Sequence, residues 1–223
     1  NGNIFVSQSL YQTCQKVFGK CPNPKVLYNA ADNAFYKYPE AQRIALREKW
    51  GVYRQKVVAY VGNLETVKNV MRLPGVFQAI QSKQKNVSFW TIGDGTLRSK
   101  LEQEMKTRNV RCTFWGNKQP ESMPDLMNCI DVLILPSMNE SFGMVLVEAI
   151  ACGANAVGSN RGGIPEVIGE NNSFELDDTF VEKISDRIVY MLNTCVNQSL
   201  NPDFDWQKTA VKEANFFTVI ING

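Results

Sequence analysis

Short apolar runs that alternate with helical segments dominate the middle of this 223-residue chain. The predicted strands are residues 57–61, 87–92, 110–115, 132–135 and 156–157. Segments at 74–84 and 96–107 have the spacing of helices. Strands that alternate with helices are typical of a parallel sheet with helices on both faces, so the sequence predicts an α/β fold of the Rossmann-like kind.

Glycine follows four of these strands, at Gly62, Gly93, Gly116 and Gly158. In open α/β sheets, ligands bind outside the carboxyl ends of the strands, and glycine lets a ligand approach the backbone closely. A single glycine here would only help a strand turn into a helix. Four in one sheet favour a binding site at this edge.

Residues 131–152 combine a buried strand, a turn at 136–139 and an apolar helix predicted at 142–152. Ser141 is the predicted N-cap of that helix. The helix carries one carboxylate, Glu148, and Glu140 precedes it. Helix amino-terminal ends bind anions, and carboxylates accept hydrogen bonds from hydroxyl pairs, so the two could hold a diphosphate with a ribose and a sugar. Alternatively, Glu140 is a surface residue favoured by the helix dipole and Glu148 pairs with a core lysine.

Composition excludes several classes of function. The chain contains no histidine, which rules out within this chain a Ser-His-Asp group, a histidine base and histidine-ligated metal sites. A net charge of +2 without a basic run gives no reason to expect a nucleic-acid partner. No apolar stretch reaches the about 20 residues that span a bilayer. Six cysteines without a C-x-x-C pair favour reduced core residues of a cytoplasmic protein: Cys14, Cys21, Cys112, Cys129, Cys152 and Cys195.

The ends of the chain predict smaller units. Residues 1–36 contain a strand–helix–strand unit and a linker, which is too small for an independent domain. Residues 37–200, opened by a helix with Pro39 at its first position, form the main domain. Residues 201–223 form a carboxyl-terminal helix that we expect to pack back on the first unit. Within it, Asp203 and Asp205 have the D-x-D shape of some metal sites, but a helix cap is the favoured interpretation.

Six segments, in order, make the chain resemble family-4-type glycosyltransferases of the GT-B fold. ESFGMVLVE at 140–148 is similar to the E-x7-E motif of that family, and DVLILPS at 131–137 to its A-D-V-x-x-x-P-S. YVGNLETVK at 60–68, TIGDGTLR at 91–98 and GGIPE at 162–166 resemble its G-R-L-x-x-x-K, V-G-D-G-P-L-R and G-G-x-P-E segments. KVLYNAAD at 25–32 resembles its P-N-G-V-D.

This resemblance implies a donor-binding half with roles for particular residues. Glu148 would bind the ribose of a nucleotide-diphosphate sugar, Glu140 its sugar, and Lys68 its diphosphate. Catalysis would rest on Glu140 and Lys68, without a cofactor or metal. The implied donor-binding residues are Gly62, Asn63, Lys68, Gly93, Gly116, Asn117, Glu140, Ser141, Phe142, Gly143, Met144, Val145 and Glu148.

The resemblance implies transfer of a hexosyl or deoxyhexosyl group, with UDP-sugar as the expected donor, to a glycan or other hydroxyl acceptor with retention of configuration. Two departures stand out. Asn63 occupies the position of an arginine that the family often has, and the family's amino-terminal acceptor domain is represented only by residues 1–28. Further domains of the same polypeptide, which could attach it peripherally to a membrane, are therefore an open expectation. The alternative is a non-catalytic nucleotide-sugar-binding module that needs a partner chain.

Overall fold

A computed structural model describes residues 2–194 and 196–222. In chain order its strands and helices are β1 (Asn3–Phe5), α1 (Gln8–Phe18), β2 (Pro24–Val26), α2 (Glu40–Lys49), β3 (Lys56–Val61), α3 (Leu73–Lys83), β4 (Val87–Ile92), α4 (Arg98–Thr107), β5 (Cys112–Phe114), α5 (Met123–Met127), β6 (Val132–Leu135), α6 (Met144–Ala151), β7 (Asn155–Ser159), α7 (Ile164–Ile168), β8 (Ser173–Phe174), α8 (Phe180–Asn193) and α9 (Trp206–Asn222).

The main sheet has six parallel strands in the order β5-β4-β3-β6-β7-β8, flanked by helices. The chain runs outward from β3 to β5 and then returns, so that β6 pairs with β3, with Val58 opposite Val132. The strand order therefore reverses between β3 and β6, and such a reversal opens a crevice at the carboxyl ends of the two strands. The α/β fold class that the sequence predicts is confirmed.

The core explains why the strands are such continuous apolar runs. Val57 to Val61 of β3 and all four residues of β6 are buried, as expected for central strands covered on both faces. Helices α3 and α8 bury apolar stripes against the sheet, and the ring of Phe77 stacks on that of Phe89 at 4.5 Å between centroids. The sheet thus forms a rigid base for the loops at its carboxyl edge.

Several element boundaries differ from the sequence prediction. Pro39 is the N-cap of α2 rather than its first residue, and the helix begins at Glu40, because the Pro39 ψ of 144° is extended rather than helical. The strand predicted at 110–115 shortens to Cys112–Phe114, an edge strand paired on one side only. The sequence pattern also predicts a helix at 178–197, but α8 starts at Phe180 and ends at Asn193, because Thr194 takes an extended conformation.

The predicted strand–helix–strand unit near the amino terminus is present. β1 and β2 pair in parallel as a separate two-stranded sheet. Helix α9 contacts the segment that follows this unit, since the Thr209 hydroxyl donates a 2.8 Å hydrogen bond to the Tyr28 carbonyl oxygen. At its far end α9 lies against Gly2, where an added Cβ would meet the Ile220 side chain at 2.2 Å.

The cysteines only partly follow the predicted core pattern. Cys129 and Cys152 are buried, whereas Cys14, Cys21 and Cys112 are half-buried, and all five carry free thiols. Cys195 lies outside the described residues. Across residues 2–194 and 196–222, none of the helices combines the length and apolar character that a bilayer crossing requires.

Asp131, at the amino end of β6, joins α2 to the sheet. Its carboxylate accepts hydrogen bonds from the Val57 N–H at 2.7 Å and from the Arg47 guanidinium at 3.1 Å. The side chain of Arg47 is only 12% exposed, so losing Asp131 would leave a partly buried cation without its counter-ion and the Val57 amide without its acceptor.

We predict that Asp131→Ala lowers the free energy of unfolding by about 2 kcal/mol in urea denaturation, because removing one partner of a partly buried pair costs more than the pair contributes. The control is Asp186→Ala, which removes an exposed pair with Lys83 and should cost no more than about 0.5 kcal/mol. Equal losses in the two variants would contradict this role of Asp131.

Candidate functional site

A cavity of about 250 Å³ lies at the carboxyl ends of β3 and β6, where the strand order reverses. Most of its wall consists of predicted site residues, with Val61 and Leu135 from the strands themselves. The predicted residues in the wall are Gly62, Asn63, Lys68, Glu140, Gly143, Met144 and Val145. Segments nearly eighty positions apart in sequence therefore meet at one point, as the parallel sheet requires.

A larger hollow, of about 980 Å³, lies along β4, β5 and α4 and contains none of the predicted site residues. Its wall includes the exposed side chains of Lys85, Lys106 and Arg111. We assign the candidate site to the smaller cavity because it combines charged groups with a helix amino-terminal end at the strand reversal, a combination that the larger hollow lacks.

Lys68 and Glu140 form an ion pair across this cavity, with 2.6 Å between Lys68 Nζ and Glu140 Oε2. Lys68 ends a 3-10 turn, Thr66–Lys68, that follows β3, and Glu140 lies on the loop before α6. Both side chains are three-quarters or more shielded from solvent. The two predicted catalytic residues are thus in direct contact, and an anionic ligand at Lys68 would compete with Glu140 for the ammonium group.

The amino-terminal end of α6 differs from the prediction. Ser141 is not the N-cap: the helix begins at Met144, and Gly143 caps it with a left-handed backbone, φ 96°, and no side-chain hydrogen bond. Ser141 instead stands on the exposed loop, where its carbonyl oxygen accepts a hydrogen bond from Ser7. The amides of Met144 and Val145 have no hydrogen-bond partner among the described residues and are available to a ligand.

Glu148, in the second turn of α6, is half-buried and lies outside the cavity wall. Among the residues that the structure describes, its carboxylate has no hydrogen bond and no ion pair, so the alternative of a core lysine partner is wrong. Burial raises the pKa of this carboxyl from its ordinary value to about 7. A poorly solvated acid without a protein partner is suited to a ligand that donates hydrogen bonds.

The glycines that end β3, β4 and β5 lie side by side. The Gly93 N–H donates a 2.9 Å hydrogen bond to the Gly116 carbonyl oxygen. Gly93 has a φ of +128°, and a Cβ there would be 2.1 Å from the Gly62 carbonyl oxygen, so only glycine fits. Gly93, Gly116 and the exposed Asn117 do not line the cavity, although Gly93 lies against Gly62, which does.

The loop that carries Glu140 is held by its backbone. The Gly163 N–H donates to the Glu140 carbonyl oxygen at 2.9 Å, and the Ser7 hydroxyl donates to the Ser141 carbonyl oxygen at 2.6 Å. Gly162 has a φ of +58°, and a Cβ there would approach the Glu140 carbonyl oxygen to 1.8 Å. The two glycines of the GGIPE segment therefore serve this close approach.

Sequence reasoning missed the contributions of Tyr60, Ser7 and Tyr28. The Tyr60 hydroxyl donates to the Asn63 carbonyl oxygen at 2.7 Å and thereby fixes the turn after β3. Burial raises the pKa of that hydroxyl well above its ordinary value, so it remains a donor. Ser7 and the Tyr28 ring contact residues 141 and 142, and no local pattern marks contacts between segments so far apart in sequence.

The D-x-D segment caps a helix, as predicted. Asp205 Oδ1 accepts a hydrogen bond from the Lys208 N–H at 2.9 Å, in the first turn of α9, and Asp203 pairs with Lys212 at 3.1 Å. Within the described part of the chain no three histidine, cysteine or acidic side chains are grouped as potential metal ligands.

Comparison with known families matches residues 42–198, more than half of the chain, to the family described as Glycosyl transferases group 1. Among curated proteins, N-acetyl-alpha-D-glucosaminyl L-malate synthase of Bacillus anthracis is 28% identical over 193 residues, 84% of this chain and 49% of the relative. Glycogen synthase of Mycobacterium tuberculosis is 29% identical over 176 residues, 74% of this chain and 42% of the relative.

Among solved structures, HepE of Anabaena in complex with UDP-glucose is similar with a TM-score of 0.70 and 25% identity, covering 97% of this chain and 57% of that one. The chain spans about half the length of the curated relatives described above.

Glu148 gives a pH-dependent prediction. An unfolded glutamate ionises near pH 4.3, but in the folded chain burial raises the pKa of Glu148 to about 7. Stability is therefore lost as the pH rises through this window, because the folded state must carry a poorly solvated charge. The free energy of unfolding of Glu148→Gln, measured in urea relative to that of the wild type, should therefore increase by about 1–2 kcal/mol between pH 5 and pH 8. This range is reduced to allow for the partial exposure of the Glu148 side chain.

The control is Glu170→Gln, which makes the same substitution on the exposed surface near α7. If Glu148→Gln shows a constant difference from the wild type across this range, or one that varies no more than that of the control, the raised pKa of Glu148 is wrong.

Proposed function

Because the chain belongs to the group 1 glycosyl transferase family, we propose that it binds a nucleotide-diphosphate sugar and transfers the sugar to a hydroxyl acceptor. The observation that carries this proposal is the combination, at one strand reversal, of the Lys68–Glu140 pair with the free amides of Met144 and Val145. A cation and unpaired helix amides suit a diphosphate. The lone Glu148 carboxylate behind them suits a ribose.

We assign the donor contacts in three groups. Glu148 accepts hydrogen bonds from the ribose, and Glu140 contacts the transferred sugar. Lys68 and the backbone of residues 142–145 hold the diphosphate, with Gly62 and Asn63 as the opposite wall. Gly93, Gly116 and Asn117 border the base. A UDP-sugar is the proposed donor, supported by the UDP-glucose bound in the similar Anabaena structure.

The proposed transfer retains the configuration of the sugar and requires neither metal nor cofactor. The acceptor oxygen bonds to the anomeric carbon as the bond from that carbon to the diphosphate oxygen breaks, and the departing diphosphate takes the acceptor proton. The protein supplies position and charge: Lys68 and the α6 amides stabilise the negative charge that develops on the diphosphate.

We propose the domain division already expected from the sequence. Residues 37–200 form the donor domain, residues 1–36 belong to the acceptor side, and residues 201–223 connect back to them, which the Thr209–Tyr28 hydrogen bond supports. A glycan or another hydroxyl compound is the proposed acceptor. We also propose a cytoplasmic location, supported by the five free thiols.

A second candidate is a nucleotide-sugar-binding module that is inactive without a partner chain or further domain. The reason to consider this candidate is that the chain spans about half the length of its curated relatives. Incubating this chain with UDP-, GDP- and dTDP-sugars identifies the donor by binding. Transfer or donor hydrolysis by the chain alone would reject the module, and binding without turnover would favour it.

The two carboxylates should have separable effects in titration calorimetry. Glu148→Ala should weaken UDP binding about tenfold, because a ribose hydroxyl pair loses its acceptor. Glu140→Ala should leave UDP within about threefold of the wild type and remove the added affinity of UDP-glucose over UDP. Negligible and equal effects of both substitutions would overturn the site assignment.

Lys68 should act on the diphosphate alone. We expect Lys68→Gln to weaken UDP binding about tenfold while uridine binding is unchanged, because uridine carries no phosphate. Lys100→Gln, on the exposed face of α4, is the matched control and should change neither affinity. A loss of uridine affinity in Lys68→Gln would contradict a contact specific to phosphate.

A further inference from the structure

We propose that Glu166 is a positioning residue: by clamping the first turn of α1, it holds the loop that carries Glu140. The expected effect on sugar binding rests on the proposed function above, whereas the claim that Glu166 holds the loop rests on contacts within the chain. The GGIPE motif contains this glutamate, but the sequence assigns it no role.

The Glu166 carboxylate accepts three hydrogen bonds from distant parts of the chain. The N–H groups of Gln8 and Ser9 donate to its two oxygens, each at 2.8 Å, and the Tyr28 hydroxyl donates to it at 3.1 Å. It has no cationic partner among the described residues, which distinguishes it from a surface ion pair. A carboxylate that accepts two amides of a first helical turn binds the positive end of that helix.

Helix α1 depends on such contacts because none of its residues is buried. Apolar packing therefore contributes little to holding it against the donor domain. Its N-cap, Ser7, is itself fully buried and accepts a hydrogen bond from the Leu10 N–H at 3.0 Å. Two charge-assisted hydrogen bonds, donated by the Gln8 and Ser9 amides to Glu166, complete the attachment of this turn.

Ser7, the residue before the amides that Glu166 binds, and Tyr28 in turn contact the loop that carries Glu140. The Ser7 hydroxyl donates to the Ser141 carbonyl oxygen at 2.6 Å, and the Tyr28 ring stacks on that of Phe142 at 5.8 Å between centroids. Ser141 and Phe142 directly follow Glu140. Releasing α1 and Tyr28 would therefore remove two contacts from this loop and leave it with its Gly163 hydrogen bond.

The part of the site that belongs to α6 does not depend on this clamp. Met144, Val145 and Glu148 belong to α6, which is held by its own hydrogen bonds and by the burial of Leu146, Val147, Ala149 and Ile150. Loss of Glu166 should therefore disturb contacts with the sugar, through Glu140, more than contacts with the nucleoside diphosphate.

The test compares Glu166→Ala with Glu170→Ala, a control at an exposed position just beyond the end of α7. We expect Glu166→Ala to lower affinity for UDP-glucose about tenfold and for UDP less than threefold in titration calorimetry, with no change in the control. Equal losses for the two ligands would mean a general structural role and would overturn the proposal.

Glu140→Ala/Glu166→Ala tests whether the two residues act together. If Glu166 works by positioning Glu140, its removal should cost no further UDP-glucose affinity once Glu140 is absent. Additive losses would overturn the proposal. Glu166→Gln is the second variant, for the case that Glu166→Ala does not fold. It retains one acceptor oxygen for an α1 amide, so its loss of UDP-glucose affinity should be smaller but should still exceed its loss of UDP affinity. Equal losses of affinity for the two ligands would overturn the proposal.

Hydrogen exchange without ligand separates this proposal from the proposed function. In Glu166→Ala, a peptide that covers residues 139–146 should exchange faster than in the wild type, while the control variant shows no change. If the wild type binds no UDP-glucose, the proposed function fails and this measurement still decides the positioning claim. Unchanged exchange at 139–146 in Glu166→Ala would overturn it.

Discussion

The reversal of strand order between β3 and β6 is the constraint on which the rest of the site depends. Neighbouring parallel strands whose connections leave in opposite directions cannot have their carboxyl ends covered by the same crossover, so a crevice remains between them. The turn after β3 brings Lys68 to one side of that crevice, and the loop after β6 brings Glu140 to the other. Gly62, at the end of β3, contributes backbone without a side chain to its wall.

The two carboxylates near the crevice, Glu140 and Glu148, have different electrostatic environments. Glu140 has a cation at 2.6 Å, whereas Glu148 has no partner among the described residues and a pKa raised to about 7 by burial. Keeping Glu148 ionised in this setting costs stability, and a protein retains such a group where a ligand can supply the missing hydrogen bonds. The ion pair, by contrast, keeps Lys68 and Glu140 in place before a ligand arrives.

Local patterns in the sequence were sufficient to predict the sheet, because buried parallel strands are continuous apolar runs: 132–135 was predicted with the boundaries that β6 has. They also predicted Glu140 and Glu148 as site residues, whereas Lys68 was predicted from the family resemblance. They could not predict the Lys68–Glu140 contact, which joins residues 72 positions apart, or the Glu166 clamp on α1. Ser141 was wrongly predicted as a cap because Gly143, in a left-handed conformation, can end the loop two residues later.

The central claim is that the crevice between β3 and β6 binds the nucleotide sugar. The most direct measurement is a titration of the isotope-labelled chain with UDP-glucose, followed by the NMR shifts of its backbone amides. The account predicts that saturable shifts concentrate at residues 62–63 and 143–148. Shifts concentrated along β4, β5 and α4, in the larger hollow, would contradict it, as would the absence of saturable shifts anywhere in the chain.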